Sequence, residues 1–467
     1  MAQESAKARI NALLDENSFV EIGSMITARS TDFNMADVQT PGDGVITGYG
    51  VIDGHLVYVY SQDASVLGGS IGEMHGKKIA GIYKMAMKMG APVIGLLDCA
   101  GLRLQEATDA LNAFGEIYAA QALASGVIPQ ITGIFGTCGG GLSVVSGLTD
   151  FTFMETNSKL FVNSPNALDG NNESKCDTAS VKFQEEEAGI VDFTGSEEEL
   201  IAGMRQLITI LPANNSEDYS EDTDITDDLN RGCDIPSSLE DNGAYIAAQI
   251  SDNNLFVEIK KNFAKDVVAG FIRLGGKTAG IILNNKTKLT TMGCIKAADF
   301  IKFCDAFDIP VVTFTGVTGF EATVEEEKKL AKTIAKLTYA FADATVPKVN
   351  VIAGDALSSA YVVMNSKGLG ADMVFAYPDV KIGTMAGKDA VRIMYSDKIQ
   401  ESDDKVASIN KLAQEYDALQ NNVVSAAKRG YVDTIIEPVN TRKYVIGALD
   451  MLYTKCVNAS DKKHGTV

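Results

Sequence analysis

Residues 135–147 read FGTCGGGLSVVSG: three consecutive glycines after the apolar run Ile131–Phe135, followed at once by small and apolar residues. Glycine loses more backbone freedom on folding than any other residue, so such a run implies a tight turn, a close approach, or main-chain N–H groups bared toward a ligand. Where a strand turns into a helix, the first helical N–H groups lack partners and the helix dipole is positive, which favours an anion or a developing oxyanion. Two such donors converging on a thioester or ureido oxygen would form an oxyanion hole, worth about 3 kcal/mol per donor in a transition state. Reactive side chains are sparse by comparison. The chain has three histidines. His55 follows a turn glycine and His464 lies in the tail, so both read as surface residues, while His75 sits in GEMHGKK. Seven cysteines (99, 138, 176, 233, 294, 304 and 456) are scattered and never spaced CxxC, so neither a disulfide framework nor a zinc ribbon is indicated, and no metal is expected. GxxxxGK[ST] and GxGxxG are absent, which argues against ATP and dinucleotides.

The elements that position these residues belong to a long globular chain. Its 467 residues are 46% hydrophobic, enough for two or more domains. No apolar stretch approaches the roughly 20 residues of a membrane span, and the opening MAQESAKARINALLDE is a polar helical pattern, so a cytoplasmic location is expected. A net charge of −20 opposes binding to a phosphate backbone, and no nucleic-acid partner is expected. Ten acidic residues against one arginine fall between Pro212 and Gly243, a composition that reads as a solvated acidic linker over 212–243.

The segments on either side of that linker repeat each other. Residues 15–22, DENSFVEI, are echoed by DNNLFVEI at 252–259. VITGYGVIDGHLVYVYSQD from Val45 parallels VVAGFIRLGGKTAGIILNN from Val267, two alternating strands around a glycine turn. KIAGIYKMAMKMGAPVIGLLDCAG from Lys78 matches KAADFIKFCDAFDIPVVTFTGVTG from Lys296: a helix, a proline break and a buried strand. Pro92 and Pro310 are 218 residues apart, as are Pro129 and Pro347. The rhythm predicts α/β domains with mostly parallel sheets, related by internal duplication. The same offset pairs GTCGGGLSVVS with GDALSSAYVVM, so the glycine-rich turn has a second copy at Gly354–Met364.

In LLDENSFVEIG, SQDASVLGGSIGEMHGKKI, MGAPVIGLLDCAGLRLQE and SGVIPQITGIFGTCGGG, and later in NFAKDVVAGFIRLGGKTAGI, SAYVVMNSKGLGAD and the closing KKHG, the chain resembles the carboxyltransferase subunits of biotin-dependent acyl-CoA carboxylases and decarboxylases. The likeness runs from about residue 9 to the end. It implies two tandem crotonase-like (ClpP/crotonase) domains, over 1–211 on the acyl-CoA side and 244–467 on the biotin side. It also implies carboxyl transfer between carboxybiotin on a separate carrier protein and the α-carbon of an acyl-CoA. By the same resemblance, Gly140 and Gly141 hold the thioester oxygen and Ser359 and Ala360 the ureido oxygen of biotin. The site then lies between the first domain of one chain and the second of another, in a homo-oligomer built of dimers, with a hexamer as one form. Gly68, Gly69, Ser70 and Lys77 in VLGGSIGEMHGKK, with Lys78 beside them, read either as facing coenzyme A phosphates or as a turn followed by a solvated helix face, and Arg103 in CAGLRLQE as facing the ligand. Val362 stands at a position linked to acyl selectivity.

Partners implied are a biotin carboxyl carrier protein and either a biotin carboxylase or a membrane decarboxylase subunit, to which the chain would be peripheral. AMKM at 86–89 matches the biotin attachment sequence, but Lys88 ends a helical run rather than tipping a hairpin, so it is not expected to carry biotin. Two features depart from the family pattern: LSSA replaces a glycine pair before alanine in the second turn, and EATVEEEKK replaces a proline- and glycine-rich segment. Three readings stay open. They are an acyl-CoA carboxylase subunit, the corresponding subunit of a sodium-pumping decarboxylase of methylmalonyl-CoA type, and a structural or regulatory paralogue that no longer binds biotin.

Overall fold

The computed structural model describes residues 2–29, 35, 37–216 and 226–457. His464, the closing KKHG and residues 217–225 of the acidic stretch lie outside them. The chain forms two compact units, Met1–Ser220 and Glu221–Val467.

In the first unit the strands are β1 (Val20–Glu21), β2 (Val45–Ile52), β3 (His55–Gln62), β4 (Val93–Cys99), β5 (Gln130–Gly139), β6 (Phe151–Glu155), β7 (Lys159–Phe161) and β8 (Phe193–Gly195). They make one sheet in the order β1-β2-β3-β4-β5-β6-β8, with β7 beside the far end of β5. The first three strands pair antiparallel and the rest are parallel. The second unit holds β9 (Phe256–Ile259), β10 (Val267–Leu274), β11 (Lys277–Asn284), β12 (Lys288–Leu289), β13 (Val311–Thr315), β14 (Gly319–Phe320), β15 (Lys348–Ile352), β16 (Ala356–Leu357), β17 (Met373–Ala376), β18 (Ile382–Gly383) and β19 (Thr434–Ile435). Its main sheet runs β19-β17-β15-β13-β11-β10-β9, again antiparallel over the hairpin and parallel beyond it, with the two-stranded β12-β14 and β16-β18 set apart. These are the mostly parallel α/β domains expected from the repeat.

The repeat extends to single hydrogen bonds. The prolines that end each helical run leave their carbonyls to set strand register: Tyr58 N–H donates to Pro92 O and Gly280 N–H to Pro310 O, each at 2.9 Å. Val93 N–H reaches Pro129 O at 3.0 Å and Val311 N–H reaches Pro347 O at 2.9 Å. Strand starts are clamped by aspartates. Gln130 N–H donates to the Asp150 carboxylate and Lys348 N–H to that of Asp372, both at 2.8 Å. The helices Glu73–Met89 and Thr291–Ala306 follow the hairpins, and each donates its first N–H to a distant glutamate, Glu106 or Glu326, at 2.6 Å. Within the acidic stretch, Cys233 and Leu239 are buried in the core of the second unit, so that part packs on the domain rather than standing in solvent as a linker.

Two buried lysines, 218 residues apart, tie these helices to the hairpins. Lys78 Nζ donates to the carbonyls of Gly42 and Val45, and Lys296 Nζ to those of Lys260, Phe263 and Val267 at 2.8–3.0 Å. Burial lowers the Lys78 ammonium to about 8. A lysine whose pKa falls on folding opposes folding below the folded value, and the opposition fades as pH rises toward the unfolded value near 10.4. Lys78→Met should nevertheless destabilise the protein by about 1–3 kcal/mol, because the Gly42 and Val45 carbonyls lose their donor. In urea unfolding the gap to the parent should widen between pH 8 and 10; a flat or narrowing gap would contradict this.

Candidate functional site

The first glycine-rich corner closes β5. Gly140 adopts φ 60° and passes through Gly141 into the short helix Leu142–Gly147. A residue with a side chain meets a backbone penalty there of about 1–2 kcal/mol, which is the local reason for glycine. Gly140 N–H donates to Phe161 O at 2.9 Å, and Gly140 O accepts the N–H and Oγ of Ser143 at 3.1 and 2.7 Å. The Gly140 N–H is thus engaged by β7 and is not a free donor, contrary to the role expected for it. Gly141 N–H has no acceptor among the described residues. Tyr118 Oη donates to Gly141 O at 2.5 Å and would lie 2.9 Å from a Cβ on Gly141, so the corner is held open by glycine and braced by a tyrosine.

The second corner has the same geometry with different residues. Ser358, 218 residues after Gly140, adopts φ 63° and opens the helix Ser358–Val363. The left-handed positions coincide, so Gly141 corresponds to Ser359 and Leu142 to Ala360. Ala360 N–H donates to Ser358 Oγ at 3.2 Å. The N–H of Ser359, an exposed residue, has no acceptor among the described residues, and Val362 is 44% exposed one turn on.

The loop after β3 departs from the expected ligand-facing array. Gly68 and Gly69 both take φ 65°, and a Cβ on Gly69 would lie 2.4 Å from Asp98 O, so these glycines permit close packing of loop on strand. Lys77 is exposed and pairs with Glu73 at 2.6 Å. Arg103 is corrected by the structure. Its guanidinium is 1% exposed and lies 2.5 Å from Asp43 and 2.8 Å from Glu106, with the Ser70 carbonyl accepting at 2.7 Å. Ser70 Oγ also accepts from Arg103, at 3.4 Å. Neither Arg103 nor Ser70 is left with a polar face for ligand; they position the loop.

Asp43, Glu106 and Tyr118 were not singled out from sequence. Asp43 sits at φ 53° in PGDG, a turn signal, and its carboxylate also accepts His75 N–H at 2.7 Å. His75 Nδ1 lies 2.9 Å from Asp43 O and Nε2 lies 3.2 Å from Gln62 Nε2. The carbonyl requires a proton on Nδ1 and the amide an acceptor at Nε2, so the ring is neutral; burial lowers its pKa to about 3. Lys88 is exposed on the last turn of its helix, before Gly90. Among the described residues no cluster of three or more His, Cys, Asp or Glu is placed to hold a metal ion, and no helix is long and apolar enough to cross a membrane.

Removing the guanidinium would strand two buried carboxylates. Arg103→Met should cost about 3–5 kcal/mol, read as a drop in the denaturation midpoint of the first unit. An unchanged midpoint would show that the triad does not carry the loop.

The carboxyl transferase domain model matches residues 2–467. The chain is 38% identical to methylmalonyl-CoA decarboxylase subunit alpha of Veillonella parvula, covering 99% of this chain and 92% of that one. It is 39% identical to the propionyl-CoA carboxylase beta chain of Roseobacter denitrificans, covering 99% and 93%. Its fold superposes on transcarboxylase 12S, a hexamer crystallised with methylmalonyl-coenzyme A and methylmalonic acid bound, with TM-score 0.94 and 32% identity, covering 98% and 91%. A repeated hydrogen-bond pattern, two left-handed corners and these whole-length likenesses lead to one conclusion: the chain belongs to the carboxyl transferase family, with two crotonase-like domains.

Proposed function

We propose that this protein transfers a carboxyl group between carboxybiotin on a separate carrier protein and the α-carbon of an acyl-CoA. The observation that carries the reading is the pair of duplicated corners, each with a left-handed residue and an adjacent main-chain N–H without an acceptor among the described residues. Carboxybiotin supplies the carboxyl group. The protein's task is to stabilise charge that develops on a thioester oxygen and to orient the two partners, and fixed N–H dipoles do this without reorganising. Gly141 N–H, with the first helical N–H after it, would hold the thioester oxygen; Ser359 and Ala360 N–H would hold the ureido oxygen. The exposed Lys77 ammonium would lie along the coenzyme A phosphates, with Val362 near the acyl group.

The relatives' names favour propionyl-CoA or methylmalonyl-CoA as substrate. A carboxylase or a decarboxylase assembly, a biotin carboxyl carrier protein, a homo-oligomer and a cytoplasmic location belong to the same proposal. Ser358 Oγ on the Ala360 N–H gives the paralogue reading its one specific support, since that donor is already capped.

Purified protein mixed with methylmalonyl-CoA and free biotin should convert the thioester to propionyl-CoA, followed by HPLC. Gly141→Val, which drives a side chain into Tyr118, should reduce turnover about 100-fold or more while the protein still folds. Inactivity of the parent across acetyl-, propionyl- and methylmalonyl-thioesters would favour the paralogue.

A further inference from the structure

The two units place a carboxamide at equivalent points, Gln62 ending β3 and Asn284 ending β11. In each the carboxamide oxygen accepts the N–H of the matching residue near the end of the neighbouring strand, Asp98 at 3.2 Å and Gly316 at 3.1 Å. A main-chain N–H can only donate, so this contact fixes which carboxamide atom is oxygen. In the first unit the remaining amide group meets His75 Nε2 at 3.2 Å. In the second, the residue 218 positions on from His75 is Gly293, and Asn284 Nδ2, on a side chain 0% exposed, has no partner among the described residues. A buried donor left unmatched is costly, and such groups in native proteins call for a partner.

A second truncation opens space beside it. In the first unit the Asp98 carboxylate covers Gly136, whose Cβ would lie 2.1 Å from Oδ1. The counterparts in the second unit are Gly316 and Gly354, which face each other without side chains. Leu239 fills part of the gap, and the rest is a cavity of about 600 Å³ lined by Asn284, Gly316, Gly354, Thr318 and Val380 among others. It sits at the carboxyl ends of β11, β13 and β15, where open α/β sheets bind ligands. Its lining includes Glu240, Asp355, Asp379 and Glu437 against Lys286, which is already paired with Asp241 at 2.6 Å and Glu240 at 3.6 Å.

We infer that this cavity is a binding site for an uncharged molecule that presents an amide or urea carbonyl oxygen to Asn284 Nδ2. The unmatched donor needs an acceptor, the acidic lining disfavours carboxylates and phosphates, and Leu239 and Val380 offer apolar contact to the rest of the molecule. The cavity reaches Gly354 and Asp355, where the segment of the second corner begins, but the inference rests on the unmatched Asn284 donor and not on the carboxyl-transfer reading.

The test uses the full chain with pantetheine as a neutral amide, N-butylurea as a neutral urea, and pantothenate as the anionic relative, each titrated by calorimetry. At least one neutral probe should bind with Kd of about 1 mM or tighter, and pantothenate should bind about tenfold more weakly than pantetheine. Asn284→Asp keeps the Gly316 contact and replaces the donor by an acceptor, so it should weaken the neutral probe about tenfold or more. Asp379→Asn, exposed at the mouth, should leave the neutral probe unchanged and strengthen pantothenate; it keeps the test decisive if the first variant does not fold. Gly141→Val should not alter this binding, whatever it does to carboxyl transfer. Failure of both neutral probes to bind, or binding indifferent to both cavity variants, overturns the proposal.

Discussion

Both units depend on a backbone constraint: a buried parallel strand must turn sharply through a residue at positive φ before its chain can enter the following helix. Gly140 and Ser358 occupy that conformation at 60° and 63°, although only one lacks a side chain. In both copies the next main-chain N–H has no acceptor among the described residues. A serine held there stores about 1–2 kcal/mol of strain, and its hydroxyl bonds locally to the Ala360 N–H. The surrounding structure over-determines the corner enough to keep it.

What surrounds the corners is a frame of polar groups in precise register with the backbone. Proline carbonyls receive the N–H groups of neighbouring strands, aspartates clamp the strand starts, and a buried lysine binds each main helix to its hairpin. Each arrangement satisfies main-chain groups that burial would otherwise leave unmatched, and each appears twice. The copies diverge where side chains meet the ends of their strands. The first unit has a dense network of Arg103, Asp43, Glu106, His75 and Gln62; the second replaces the histidine and an aspartate by glycine and keeps an unmatched Asn284 beside a cavity. Duplication preserved the backbone and relaxed the side-chain network.

The fold was legible because the signals that specify it are local or periodic. Alternating hairpin residues, proline breaks at a fixed offset and glycine-rich turns each act within a few residues of the structure they dictate, and together they yielded the duplicated α/β units and the position of both corners. The register of the corners was not legible. Whether Gly140 or Gly141 offers its N–H depends on Phe161, a residue of another strand, which no nearby pattern reveals. Arg103 was misjudged for a related reason: a lone arginine beside glycines suits an anionic ligand, and only folding brings Asp43, 60 residues away, against it.

The sequence by itself determined the duplication, the family and the place of both strand-to-helix turns, because these follow from repeated spacing and local residue patterns that the chain carries along its length. Tertiary structure alone decided which donors stay free, which charges are consumed internally and where a cavity remains. Those outcomes depend on side chains far apart in sequence competing for the same buried hydrogen bonds, and that competition is settled only when the strands are packed together.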